Sequence, residues 1–159
     1  MRTPAHDNDN DNDNDQPVDH RPSMISSLNH ITLSVSDLDR SFAFYTETLG
    51  LRPRARWSRV AYLSVGGLWL CLTLDRLCRQ GPQAEYTHIA FTVEAARFAA
   101  HAAALAALGV TQWQPDSSEG DSLYFLDPDG HKLEIHAGDL ASRLASLRVA
   151  PYDGLVLFD

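Results

Sequence analysis

Two stretches of the chain share one pattern of hydrophobic and polar positions. The first, HITLSVSDLDRSFAFYTETLGL, starts at His30, and the second, HIAFTVEAARFAAHAAALAALGV, starts at His88. Each opens with alternating apolar and polar residues, which predicts a β-strand, and continues with the apolar spacing of an amphipathic helix. Gly50 and Gly109 follow the helical stretches, as glycine commonly does at a helix C-terminus. The pattern therefore predicts an internal repeat.

Short strands joined by turns follow each predicted helix: AYLSV-GG-LWLCLTL in the first half and LYFL-DPDG-HKLEIH in the second. Each half is therefore predicted as β-α-β-β-β, and the fold class as α+β. Because one such module cannot bury its apolar face alone, we expect both to share a core and curl as a mixed sheet around a cavity. The modules are predicted at about 24–80 and 81–145, with a C-terminal extension at 146–159.

The first predicted helix carries an apolar and aromatic stripe. Leu38, Phe42, Tyr45 and Leu49 recur at helical spacing, and Asp37 stands directly before them as a predicted N-cap. A stripe of this kind is more often core than cofactor site, so we expect it to be buried.

Residues 1–23 differ in composition from the rest of the chain. They contain an alternating Asp-Asn tract, and their six aspartates and two arginines give a charge of -4, half of the chain's -8. With almost nothing apolar to bury, this segment is predicted to be a disordered tail, with the folded part starting near Met24. The tract resembles the start of a calcium loop but lacks its required Gly and Glu.

Composition and charge exclude several classes of function. The acidic balance argues against a nucleic-acid partner. The longest apolar run, 65–74, is too short to span a membrane, and no secretory signal pattern begins the chain. Cys71 and Cys78 do not make a disulfide framework. A cytoplasmic location is predicted.

Alternation along the predicted strands gives each an aliphatic face and a second face of polar and aromatic residues. His30, His88 and Glu134 lie on this second face, and Lys132 and His136 share it with Glu134. Two imidazoles and a carboxylate suit a divalent Mn²⁺, Fe²⁺ or Zn²⁺. The three are 58 and 46 residues apart, so only the fold brings them together. For each residue alone, a solvated position on the sheet is the competing interpretation.

A family resemblance is carried by LNHITLSVSDL, GGLWLCL, YTHIAF, SSEGDSLYFLDPDGHKLEIH and GDLASRL. These motifs resemble the vicinal oxygen chelate superfamily, which includes glyoxalases, bleomycin resistance proteins and dioxygenases. Within it they are most similar to glutathione-dependent fosfomycin resistance transferases, from about Met24 to Asp159. The resemblance implies a homodimer with exchanged modules, which joins glutathione to fosfomycin by opening its epoxide.

The resemblance also implies roles for individual residues. The metal ligands fall on His30, His88 and Glu134, holding Mn²⁺, with His30 from one subunit and the other two from its partner. Thr32 falls beside the oxirane oxygen, and Tyr62 matches a tyrosine that helps handle the thiol. The implied substrate-binding residues are Trp69, Cys71, Ser118, Ser122, Tyr124 and Arg143. A K⁺ loop is implied at Asp116, Ser118, Glu119, Gly120 and Ser122.

The chain departs from the family pattern at two positions. Gln114 stands after Trp113, where the typical enzymes carry a lysine that contacts the phosphonate, and Asp116 replaces an asparagine of the K⁺ loop. Losing one cationic contact to a dianion costs about 1–3 kcal/mol. Weaker fosfomycin binding and a different phosphonate substrate both remain open on this basis.

Other members of the superfamily provide alternative functions. A hydrolytic enzyme would need a carboxylate before the site tyrosine, and residues 54–61 contain none. The bacillithiol branch typically has cysteine where Thr32 stands, which favours glutathione. A glyoxalase-like or dioxygenase-like enzyme on another small substrate is one alternative, although glyoxalases place a Glu ligand where this chain has Trp69 and Cys71. The other is a metal-free drug-sequestering protein, which would lack the ligand trio.

Overall fold

The fold consists of eight strands, three α-helices and one short π-helix in the part of the chain that the computed structural model describes, residues 25–116 and 119–158. The predicted disordered tail lies outside these residues. The first module contains β1 (His30–Val35), α1 (Leu38–Ala43), β2 (Arg52–Arg56), β3 (Val60–Val65) and β4 (Leu68–Leu74). The second contains β5 (Ile89–Thr92), α2 (Ala95–Ala107), β6 (Gln112–Gln114), β7 (Asp121–Leu126) and β8 (Lys132–Ala137), and is followed by α3 (Leu140–Val149).

The internal repeat is confirmed at the level of sheet topology. The strand orders are β1-β4-β3-β2 and β5-β8-β7-β6, so corresponding strands occupy corresponding places. In each sheet the first strand pairs in parallel with the last, and the remaining pairs are antiparallel. The α+β class with two βαβββ modules is therefore confirmed.

The first helix begins and ends as its sequence indicates, but its second half is a π-helix rather than an α-helix. The Asp37 side chain accepts a hydrogen bond from the Arg40 amide and caps α1. From Phe44 to Thr48 the backbone widens into a π-helix, in which the Leu49 amide donates to the Phe44 carbonyl. Gly50 then ends the element with a φ of 72°, a conformation that glycine adopts without steric cost.

The aliphatic faces of both sheets and one face of each repeat helix form one core. The predicted helical stripe contributes to this core, with Leu38 and Tyr45 buried and Phe42 and Leu49 packed against them. The face predictions are confirmed. The buried members are Leu33, Val35, Leu38, Tyr45, Leu51, Ala61, Leu63, Leu70, Leu72, Leu105, Phe125, Leu133 and Ile135.

The DPDG turn between β7 and β8 forms hydrogen bonds with the first module. Asp129 is only 4% exposed. Its carboxylate accepts hydrogen bonds from the Ser36 amide and hydroxyl, the Ser41 hydroxyl and the Arg40 guanidinium, the last at 2.7 Å. The predicted turn is confirmed, but these contacts with residues about ninety positions earlier were beyond the sequence pattern.

Asp127 makes a second link across the same boundary. Its carboxylate accepts the Tyr45 hydroxyl at 2.9 Å and the backbone amides of Asp129 and His131. Burial, and then the nearby Asp127 charge, raise the pKa of Tyr45 well above its ordinary value, so the phenol keeps the proton that it donates. We call the group of linked residues the inter-module junction: Ser36, Arg40, Ser41, Tyr45, Asp127 and Asp129.

The segment after the second module forms α3. Asp139 and Ser142 make a reciprocal capping box at its start. The hydrogen bond from the Ser142 amide lowers the pKa of the Asp139 carboxyl. Neither α3 nor any other described helix combines the length and the apolar composition that crossing a membrane requires.

Candidate metal centre

The face of the first sheet that lies away from the core carries an aromatic row. His30 stacks on Trp69 with ring centroids 4.3 Å apart, and Tyr62 meets Trp69 edge-on at 4.6 Å. Trp57 extends the row, with its ring 5.2 Å from that of Tyr62. The row forms because β1, β4 and β3 are adjacent. His30 is directly opposite Trp69, and Tyr62 is diagonal to Trp69, two residues from the paired Ser64. Such rings form a rigid wall with polar atoms at its edge.

Two of the remaining candidates of this face lie side by side. Thr32 pairs in register with Cys71, and the Cys71 sulfur lies 3.4 Å from the Thr73 hydroxyl. Thr32 is exposed, whereas Cys71 is buried. An exposed hydroxyl on the same strand as His30 can reach a ligand bound in front of this sheet.

The equivalent face of the second sheet brings two predicted metal ligands into contact. His88 Nε2 lies 3.0 Å from Glu134 Oε2, although the residues are 46 positions apart. Glu134 is 5% exposed, so the carboxylate is largely withdrawn from water. Around them stand the rings of Tyr86, Trp113 and Tyr124, each within 6 Å of the His88 ring.

Hydrogen bonds around His88 determine which ring nitrogen carries the proton. Nδ1 lies 3.1 Å from the carbonyl oxygen of Tyr86, which can only accept, so Nδ1–H is the donor. Nε2 then directs a lone pair at the Glu134 carboxylate. Two electron-pair donors at 3.0 Å require a proton or a cation between them. Histidine ligands typically donate their second ring N–H to a carbonyl in this way, so the pair fits a metal.

His30 occupies a different position from the His88–Glu134 pair. Its Nδ1 lies 2.8 Å from the Asn29 side-chain oxygen, which leaves the Nε2 lone pair for a ligand. Within residues 25–116 and 119–158, no three His, Cys, Asp or Glu side chains come together as a metal-binding group. The described chain thus joins two of the three predicted ligands and keeps the third on the other sheet.

Behind Glu134 lies a polar network that includes Ser122, a residue that the family resemblance assigns to the substrate. The Ser122 hydroxyl donates to Glu134 Oε1 at 2.6 Å and lies 2.8 Å from His136 Nδ1. Tyr124, two residues further along β7, is buried. His136 was missed as a site residue, although alternation had placed it on the same face as Glu134.

The loop before β7 carries most of the predicted K⁺ residues, with Ser122 on β7 itself, and the predicted phosphonate ligand Arg143 approaches this loop from α3. The Asp116 carboxylate accepts the Ser122 amide at 3.1 Å, and Glu119 Oε2 lies 3.7 Å from Arg143 Nε. Glu119 Oε2 is buried and has no hydrogen-bond donor among the described residues. Gly120 turns the loop with a φ of 77°. Ser118 lies outside the described residues.

Gln114 lies at the rim of the aromatic group around His88. Its side-chain amide donates to the Tyr86 hydroxyl at 3.1 Å. Neighbouring Trp113 carries the Lys132 ammonium 4.8 Å from its ring centroid. A neutral amide therefore stands beside the site where the family pattern has a cation.

The profile of the glyoxalase/bleomycin resistance protein/dioxygenase superfamily matches residues 27–135, more than half of the chain. The chain belongs to this superfamily. The match covers the first module, the second module as far as residue 135 in β8, and all three predicted metal ligands, so the resemblance noted in the sequence is confirmed at family level.

Several members of the superfamily are similar to this chain over most of its length. A glutathione transferase FosA from Serratia marcescens is 52% identical over 84% of this chain and 96% of its own length. A metallothiol transferase FosB from Shouchella clausii is 38% identical over 86% and 97%. The crystal structure of the fosfomycin resistance protein FosX from Listeria monocytogenes, in complex with Mn(II) and sulfate, aligns with a TM-score of 0.68 at 34% identity, covering 77% of this chain and 98% of that one.

Proposed function

We propose that this protein is a metal-dependent glutathione transferase that opens the epoxide of fosfomycin and so gives resistance to the antibiotic. The observation that carries the proposal is the contact between His88 Nε2 and Glu134 Oε2, which are 3.0 Å apart and together suit a divalent cation. This pair lies in a chain that is 52% identical to a glutathione transferase FosA. The similarity to metallothiol transferases also supports a reaction with a thiol.

His88 and Glu134, with His30 as the third ligand, would hold the cation, and Mn²⁺ is the ion bound by the similar FosX. When bound, such a cation acts as a Lewis acid on the oxygens of the substrate. The glutathione thiolate attacks an epoxide carbon, so that a C–S bond forms, the C–O bond breaks and the ring oxygen gains a proton. Thr32 presents its hydroxyl to that oxygen, and Tyr62 contacts the thiol.

The phosphonate of the substrate requires cationic and hydroxyl partners. Arg143 suits this role because a guanidinium binds a phosphonate in bidentate fashion. Glu119 Oε2 is buried, lies 3.7 Å from Arg143 Nε and accepts no hydrogen bond from the described residues, so it is available to a cation in the loop. K⁺ there would strengthen the positive field near the phosphonate. The other proposed contacts are Trp69, Cys71, Ser118, Ser122 and Tyr124; Asp116, Ser118, Gly120 and Ser122 complete the K⁺ loop with Glu119.

A homodimer with exchanged modules would complete the metal site, since His30 lies apart from the His88–Glu134 pair in one chain. Such a dimer could also cover several large apolar side chains that are exposed in the single chain. They include Leu28, Tyr86, Tyr152, Val156 and Phe158, each more than half exposed. The buried thiols Cys71 and Cys78, both unpaired, are consistent with the reducing cytoplasm, which we propose as the location.

Complementation between two inactive variants tests whether the site is shared. His30→Ala and His88→Ala are each expected to be inactive as homodimers. In a mixed dimer, one of the two sites takes His30 from the His88→Ala subunit and His88 from the His30→Ala subunit. That site is intact, whereas the other site lacks both histidines. Random co-assembly makes half of the dimers mixed, so co-expression is expected to recover about a quarter of the wild-type activity.

Absence of recovery in co-expressed dimers, after mass spectrometry has established that they are mixed, would contradict the shared site. The matched control is co-expression of His88→Ala with Glu134→Ala, because one subunit contributes both of these ligands to a given site. These two variants leave both mixed-dimer sites defective, so they are expected to remain inactive together.

The substitution Gln114→Lys is expected to lower the KM for fosfomycin. A lysine there adds a charge-assisted contact to the phosphonate, worth about 1–3 kcal/mol, which corresponds to a roughly five- to hundredfold lower KM. The substitution is expected to destabilise the fold little, because the only hydrogen bond that the Gln114 side chain donates here goes to the exposed Tyr86 hydroxyl. Initial rates at saturating glutathione measure the effect.

Gln112→Lys is the control for the added charge, because Gln112 is exposed on the same strand. If Gln114→Lys leaves the KM unchanged or raises it, Gln114 does not approach the phosphonate. An equal decrease in both variants would attribute the effect to net charge alone.

The proposal as a whole is tested by incubating the purified protein with Mn²⁺, K⁺, glutathione and fosfomycin. We expect a glutathione–fosfomycin adduct by mass spectrometry, less of it without K⁺, and a raised inhibitory concentration of fosfomycin in expressing cells. No adduct with glutathione, or a diol in its place, would overturn the assignment.

A further inference from the structure

His136 lies next to the metal carboxylate, but the proposed function assigns it no role. It follows Glu134 by two residues on β8, so both side chains lie on one face of the strand. Its Nδ1 is 2.8 Å from the Ser122 hydroxyl oxygen and 3.6 Å from Glu134 Oε1. The side chain is 15% exposed, which excludes an ordinary solvated position.

The hydrogens of this group have only one consistent arrangement while Glu134 is ionised. A carboxylate only accepts, so the single hydroxyl proton of Ser122 is committed to Glu134 Oε1 at 2.6 Å. The contact between Ser122 and His136 then needs a hydrogen from the imidazole, and Nδ1–H donates to the Ser122 oxygen. The chain of donors runs from His136 through Ser122 to Glu134.

Two glycines enclose the imidazole of His136 and leave it little freedom. A Cβ at Gly138 would lie 2.5 Å from His136 Nε2, and one at Gly120 would lie 3.1 Å from Cε1. A Cβ at Gly120 would also lie 2.7 Å from the Ala137 carbonyl oxygen. Only residues without a side chain permit the backbone to approach the ring this closely from both directions.

We propose that His136 is a positioning residue for the metal carboxylate. By donating to Ser122, it keeps the hydroxyl proton directed at Glu134 Oε1, and Oε2 is thereby held toward His88 and the cation. Hydrogen bonds behind a ligand commonly orient it in this way and contribute to metal affinity. The inference rests on the proposed function, because it requires Glu134 to be a metal ligand.

Titration of the purified protein with Mn²⁺ alone, without fosfomycin or glutathione, tests the role. His136→Leu is expected to raise the Kd for Mn²⁺ by about 10- to 100-fold, the range for lost partners of metal ligands. His136→Asn is expected to recover most of that affinity, since its amide N–H donates from nearly the place of Nδ1–H. A purely space-filling residue would not distinguish Leu from Asn in this direction.

The substitution Gly138→Ala tests the same role without removing a polar group. The added methyl would displace the imidazole from Ser122, because its Cβ would lie 2.5 Å from Nε2. We expect weaker Mn²⁺ binding in this variant as well. Thermal unfolding shows whether each variant folds. If His136→Leu does not fold, Gly138→Ala replaces it in the Mn²⁺ titration.

A double-variant cycle tests whether the effect passes through Ser122. If it does, the Kd for Mn²⁺ of the double variant Ser122→Ala/His136→Leu is expected to exceed that of the weaker-binding single variant only slightly. If the Kd increases of the two single variants instead multiply in the double variant, His136 does not act through Ser122. His101→Leu, an exposed position on α2, is the control for replacing a histidine.

The outcomes separate this inference from the proposed function. If the wild-type protein binds Mn²⁺ and transfers glutathione while His136→Leu binds Mn²⁺ equally well, the inference is overturned and the function stands. Equal weakening by Leu and Asn also overturns it. If the wild-type protein does not bind Mn²⁺, the metal site itself is wrong.

Discussion

Replacing Glu134 with glutamine is expected to weaken metal binding and turnover strongly and together. The amide has nearly the same shape, its oxygen still accepts from Ser122, and its nitrogen can donate to His88 Nε2. The fold is therefore expected to survive, but the anionic ligand is gone and the His88 lone pair is occupied. We expect the Kd for Mn²⁺ to rise and kcat/KM to fall by about 100-fold or more, since a ligand matters at least as much as its hydrogen-bond partners.

Isothermal titration with Mn²⁺ and the glutathione adduct assay measure the two effects on the same preparation. Glu94→Gln is the matched control, because Glu94 has a 77% exposed side chain at the start of α2. Unchanged Mn²⁺ affinity in Glu134→Gln would remove Glu134 from the site. Lost turnover with retained affinity would instead assign the carboxylate to the chemical step.

Removing the Asp129 carboxylate is expected to cause a large loss of stability. Asp129→Ala deletes four hydrogen bonds in the inter-module junction, including the contact with Arg40. It also leaves the fully buried Ser41 hydroxyl without this acceptor. Breaking a buried ion pair typically lowers the free energy of unfolding by about 3–5 kcal/mol. Because the Arg40 side chain is 49% exposed and water can solvate it after the substitution, we expect a loss at the lower end, about 3 kcal/mol.

Urea unfolding followed by circular dichroism measures this loss. Asp39→Ala is the control, because Asp39 also pairs with an arginine, Arg56, but its side chain is 86% exposed. Surface pairs contribute under about 1 kcal/mol, so a much smaller shift is expected there. Equal unfolding free energies for Asp129→Ala and the wild-type protein would contradict a stabilising role for the junction.

The predicted strand faces and the structure agree where alternation carries the information. Alternation placed His88 and Glu134 on the face opposite the core, and β5 and β8 bring them into contact on that face. The same rule put His136 beside Glu134, but alternation does not distinguish a solvated histidine from one held between two glycines. That distinction needs the turn at Gly120, which passes next to the ring.

The repeat, the strand faces, the caps of the first helix and the identity of the candidate ligands were determined by the sequence alone, because each depends on local periodicity or on residue type. Only the tertiary structure decided which distant groups meet: the pairing of His88 with Glu134, the donor chain from His136 through Ser122, and the burial of Asp129 against the first module. These contacts join positions 12 to 93 residues apart. Their geometry follows from how the strands and modules pack, which local pattern does not encode.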